Sequence, residues 1–221
     1  MEQLLEPEIQ DCRARLIQAA AEVFVEEGYR ASIERVATRA GVARQTLYNH
    51  FPCKADLFGE VVRQATAALL ITLDANQQSL RERLLRFGAM YRSKLLSAEG
   101  LGFFRILAAE TVRFPELAAS FYRTGPAQTA ARLSVVLKEA MAKGELRATS
   151  PEFAANMLLS MLVGADRSHY LFSGDPPPAP DPAHVAQIID CYLRAFAPAP
   201  PDVAEAYLPS SPTPACPRSI P

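Results

Sequence analysis

Between Arg44 and His50 the chain reads RQTLYNH, a run of polar side chains around a single leucine. An arginine can donate two parallel hydrogen bonds to guanine, a glutamine can pair both ways with adenine, and a threonine methyl can touch the thymine methyl. Tyrosine, histidine and lysine suit phosphate oxygens. At helical spacing Gln45 and Asn49 fall on one side, flanked by Arg44, Thr46, Tyr48 and His50, while Leu47 and Phe51 fall on the other. The expected chemistry is recognition at the edges of base pairs, not bond making. No nucleophile–base pair, glycine-rich phosphate loop or compact metal-ligand cluster occurs in the sequence. No catalytic residue is therefore assigned, and neither enzyme activity nor a cofactor or metal is expected.

A reading face needs a rigid support. Upstream, Glu8 to Glu27 predicts one amphipathic helix, with Ile9, Cys12, Leu16, Ala20, Val23 and Phe24 recurring at helical spacing. Gly28 supplies its stop. Ser32 suits the N-cap of the next helix, because its hydroxyl can accept from a backbone N–H one turn in. Glu34 in that first turn suits the positive end of the helix dipole. This helix should bury Ile33, Val36, Ala37 and Ala40 and end at Gly41, with Val42 under the turn. Two short helices around a glycine turn are a helix-turn-helix pattern. Pro52 pushes Phe51 out of the helical region, which limits the reading helix to about two turns. From Arg30 to Lys54 the cations are Arg30, Arg35, Arg39, Arg44 and Lys54, against the single acid Glu34. The patch is basic within a chain whose net charge is −1.

With 221 residues, the chain can form one or two domains with a substantial core. Its 49% hydrophobic and 21% charged residues are ordinary for a globular protein. Cys12, Cys53, Cys191 and Cys216 are scattered without metal-ligand spacing, as expected of reduced thiols in a cytoplasmic protein. The acidic start MEQLLEPEIQD is unlike a signal peptide, and no apolar run approaches the about 20 residues that cross a membrane.

The run from Ala19 to Phe58, AAAEVFVEEGYRASIERVATRAGVARQTLYNHFPCKADLF, resembles the TetR family of bacterial transcriptional regulators. Its most specific part is GV-x-x-x-TLY-x-HF-x-x-K, from Gly41 to Lys54. The resemblance implies an all-α fold: an N-terminal three-helix helix-turn-helix DNA-binding domain over 8–54, then a helical ligand-binding and dimerisation domain over 55–197. Carried over by position, it implies DNA contacts by Ser32, Arg44, Gln45, Thr46, Tyr48 and His50, with Lys54 on a phosphate. Cys53 departs from the small capping residue usual there and should cap the fourth helix poorly.

Further helices are expected over 55–76, 80–98, 103–113, 116–143 with a break near Gly125-Pro126, 152–172 and 182–196. The long 55–76 helix, by the resemblance, links the two domains. By the resemblance, the last two pair with their copies in a homodimer, through Met157, Met161, Leu162, Ala165, Val185, Ile188, Ile189 and Tyr192. Phe87, Met90, Tyr91, Phe103, Phe104, Leu107 and Phe121 are expected to line a pocket for a small apolar or aromatic ligand. His169, His184 and Cys191 have no metal spacing. The Pro-rich 198–221 should be a disordered tail. The implied function is a ligand-responsive repressor, binding double-stranded DNA as a homodimer on a palindromic operator. The alternative is a DNA-binding regulator without a ligand, constitutive or controlled by a partner.

Overall fold

The computed structural model describes residues 5–74 and 79–198, and within these all regular structure is α-helical. The tail from residue 199 and the expected helix end at Asn76 lie outside the described residues. The helices are α1 (Leu5–Glu27), α2 (Ile33–Ala40), α3 (Arg44–His50), α4 (Lys54–Ile71), α5 (Leu80–Leu95), α6 (Ala98–Glu110), α7 (Pro115–Thr124), α8 (Pro126–Ala142), α9 (Pro151–Phe172) and α10 (Pro182–Ala195).

Local chemistry sets most of these ends. The Ser32 hydroxyl accepts from the Arg35 N–H at 3.1 Å and starts α2. Gly28 and Gly41 take φ of 74° and 66°, left-handed values that a side chain would resist. Pro126 opens α8 and separates it from α7, so the predicted break is a true boundary. Ser97 accepts from the Gly100 N–H at 3.0 Å and so starts α6 at Ala98, not at the expected Phe103. Ser79 and Glu82 form a reciprocal capping box at α5, and Asp181 caps α10.

Two apolar cores result, and they divide along α4. The first gathers Leu16, Val23 and Phe24 of α1, Val36 of α2, Leu47 of α3, and Leu57, Phe58 and Val62 of α4. It also takes Leu107 from α6 and Leu117 from α7, so the reading unit is not closed off at residue 54. The second core begins at Leu69 of α4 and runs through α5, α8, α9 and α10. A linker helix built into both cores can carry movement between them.

Small residues let α4 lie close to α7. A Cβ at Gly59 would stand 2.6 Å from the Ser120 Oγ, which itself donates to the Ala55 carbonyl at 3.2 Å. A Cβ at Gly125 would stand 3.0 Å from Val62. At the other end of α4, Arg83 donates to the Leu73 carbonyl and Arg132 pairs with Asp74.

Candidate nucleic-acid interface

Leu47 is fully buried and Phe51 nearly so, and together they pin α3 to the first core. Arg13 lies over the Phe51 ring, 5.2 Å from its centroid, and pairs with Glu60 of α4 at 3.0 Å. Glu60 also pairs with Arg63. These cations hold its carboxyl at about 2, with Arg63 the largest cause and Arg13 next. The clamp fixes α1, α3 and α4 as one support.

On the outer face, Arg44, Gln45 and Asn49 are exposed, while Thr46, Tyr48 and His50 are half-buried. The exposed groups are not idle. Gln45 Nε2–H donates to Asn49 Oδ1 at 3.1 Å. Arg44 lies over the Tyr48 ring, 5.4 Å from its centroid, and pairs with Glu34 of α2 at 2.8 Å. Ser32, also exposed, spends its oxygen on the α2 cap.

The patch is less basic than its sequence suggests. Arg35 pairs with Glu27 at 2.6 Å, Arg39 with Glu26 at 2.6 Å and Glu22 at 3.1 Å, and Arg30 with Glu110 at 2.6 Å. Those acids arrive from α1 and α6, out of sight of the local sequence. Lys54 is turned inward: its ammonium donates to the Tyr29 carbonyl and sits 4.4 Å from the Tyr29 ring centroid. Burial lowers its pKa, offset in part by Glu110. Here Lys54 ties α4 to the α1–α2 turn instead of offering itself to a phosphate. Burial likewise pushes the Tyr29 hydroxyl up to about 12. Cys53 makes no cap bond, as anticipated; its thiol donates to Asp56 Oδ2 at 3.1 Å.

The expected ligand-lining residues do not form one pocket. Phe87 is fully buried in the second core and stacks on Tyr91 at 5.4 Å. Phe103, Leu107 and Phe121 belong to the first core instead. There Phe103 stacks on Phe58 at 5.5 Å and 8°. Phe104 lies under Arg167, and Met90 is exposed. Helical spacing showed which faces were apolar, not which core each face would enter. Phe24, Tyr29, Phe58, Phe103 and Leu107 surround a void of ≈ 10 Å³, room for about one water and too small for an organic ligand.

The expected interface residues also divide. Leu162, Val185, Ile189 and Tyr192 are buried within the single chain, where the Tyr192 hydroxyl donates to the Ala154 carbonyl at 3.1 Å. Their side chains pack against α5 and each other's helices, away from the outer surface. Met157 and Ala165 are exposed, and Met161 and Ile188 half-exposed, along the outward side of α9 and α10. Phe153 and Phe172 extend that apolar side along α9. His169 pairs with Asp175, and His184 faces Asp166 at 3.8 Å.

A short helix pinned by an apolar inner face, with polar groups outward and a two-helix frame, defines a helix-turn-helix of the kind DNA-binding regulators carry. Residues 16–61 match the model for bacterial regulatory proteins of the tetR family, and residues 82–198 match the AefR-like transcriptional repressor C-terminal domain. The chain belongs to the TetR family of transcriptional regulators. It is 29% identical, over 174 residues, to the HTH-type transcriptional activator FasR of Mycolicibacterium smegmatis, covering 75% of this chain and 74% of that one. Among solved structures it is similar to the flavonoid-responsive regulator FrrA, with 31% identity and a TM-score of 0.66, over 84% of this chain and 94% of that one. It is also similar to a TetR-family regulator from Mesorhizobium loti MAFF303099, with 25% identity and a TM-score of 0.69, over 85% and 96% of the two chains. These relatives are regulators, not enzymes. No described helix is long and apolar enough to cross a membrane.

Proposed function

We propose that the protein is a cytoplasmic homodimeric repressor whose grip on a palindromic operator is released by a small aromatic ligand. The observation that carries the DNA assignment is the outward set Arg44, Gln45 and Asn49 over the inward pair Leu47 and Phe51. In this reading Arg44 and Gln45 address bases, with Ser32, Thr46, Tyr48 and His50 on the backbone, and Lys54 positions α4. Two copies joined through Met157, Met161, Ala165 and Ile188 would set their α3 helices at adjacent major grooves, about 34 Å apart. The match of 82–198 to a repressor's C-terminal domain supports repression.

The ligand reading rests on the Phe58–Phe103 stack, which joins α4 to α6 beside the small void. A planar ring inserted there would have to part the two phenyls and tilt α4. Such a ligand weakens DNA binding only by its preference for the parted state. FrrA, named as flavonoid-responsive, makes a planar polycyclic aromatic a reasonable first probe. The test is selection of bound duplexes from a random pool, then titration of the complex with flavonoids. Enrichment of a palindrome that flavonoids release, and release lost in Phe103→Ala, would support the reading. No enriched sequence would overturn the DNA assignment; enrichment without release would leave the ligand-free alternative.

A further inference from the structure

Glu34 is the one acid in the stretch from Arg30 to Lys54, and it stands where negative charge is least useful to a DNA-binding surface. Its carboxylate pairs with the Arg44 guanidinium at 2.8 Å, across the turn between α2 and α3. Both side chains are exposed, at 52% and 61%, so the pair is open to exchange with an incoming duplex. Arg44 is held on its other side by Tyr48, and the neighbouring Gln45 and Asn49 satisfy each other. The reading face is thus self-paired before it meets DNA. The carboxylate is kept ionised by its own backbone N–H, the Ser32 hydroxyl and Arg44, in that order.

Swinging to a phosphate takes Arg44 off Glu34, whereas a guanine edge can be met by its remaining N–H groups with the pair intact. Guanine offers two acceptors in the geometry of a guanidinium; a phosphate oxygen is available at every sequence. We infer that Glu34 is a specificity-determining residue: it withholds Arg44 from phosphates while leaving the guanidinium's remaining N–H groups to a guanine edge, so that the ion pair persists on the preferred site. The pair therefore lowers affinity for indifferent DNA more than affinity for the preferred site. This deepens the proposed function and rests on α3 being the reading helix.

The test compares wild type with Glu34→Gln on two duplexes, one selected from a random pool and one scrambled from it, across a range of salt. Glu34→Gln should tighten the scrambled duplex about two- to fivefold, the range of an exposed ion pair. It should leave the selected duplex nearly unchanged, so the ratio between the two falls. On the scrambled duplex the slope of log K against log salt should steepen by about 0.9, as Arg44 joins a phosphate. In an Arg44→Gln background the same change should do nothing. Equal tightening on both duplexes, or tightening that persists without Arg44, overturns the inference, because Glu34 would then act as a general repulsive charge. Weaker binding to the selected duplex alone also overturns it, by making Glu34 a mere support for Arg44. If wild type prefers no duplex, the assignment of α3 fails, and this inference with it, before Glu34 is changed.

Discussion

Arg44 and Tyr48 lie one turn apart on the same face yet should behave differently. Arg44→Ala should cost about 1–3 kcal/mol on the preferred sequence and relax choice at one base position, as read by repeating the pool selection. Tyr48→Ala should weaken all sequences alike. An unchanged preference in Arg44→Ala would remove it from the base-reading set. Glu60 gives a pH signature. Its folded value, about 2, lies below the ordinary 4.5, so its stabilisation is complete above 4.5 and fades as pH falls towards 2. The denaturation midpoints of wild type and Glu60→Gln should therefore converge on acidification. A constant gap would mean that the Arg13–Glu60–Arg63 clamp is not stabilising α1 against α4. Of these side chains, the types on α3 were readable in the sequence. The partners of Arg44 and Glu60 were only partly readable: Arg63 lies one turn from Glu60, but Arg13 and Glu34 come from other helices.

Among the elements, α4 carries the most constraint. It shares the first core at Phe58 and Val62, the second at Leu69, and lies against α7 at Gly59. Gly59→Ala should cost about 1–3 kcal/mol by overpacking against Ser120. Adding Ser120→Ala should restore part of that loss in urea denaturation. No recovery would show that the strain lies elsewhere in the seam. Helix ends followed from sequence where proline, glycine or serine stood at the boundary, as at Ser32, Gly41 and Pro126. They were missed at Ser97, because an apolar run from Phe103 suggested a later start than the cap allows.

For the whole molecule, the dimer test must avoid the core. Leu162 and Ile189 are fully buried, so a polar side chain at either would unfold the protomer and say nothing of assembly. Met157→Glu or Ala165→Glu, on the outward side of α9, should yield folded monomers in light scattering with an unchanged helical circular dichroism signal. A stable dimer in both variants would place the interface elsewhere. The self-contained electrostatics also concern the whole molecule. Glu110 is buried, with one oxygen paired to Arg30, which ties the end of α6 to the turn before α2, and the other without a partner among the described residues.

The sequence by itself determined the all-helical class, the helix-turn-helix, the two-turn limit that Pro52 sets on α3, and the polar composition of its outer face. These are local properties: capping, φ preference and helical period act within a few residues. Only the tertiary structure decided which apolar faces share a core, and so removed Phe87 from the Phe103 cluster and Leu162 from the exposed face. It also decided that the basic stretch around Arg44 is matched by acids from α1, α2 and α6. Packing and ion pairing join residues far apart in the chain, and helical period reports the direction of a side chain but not what waits there.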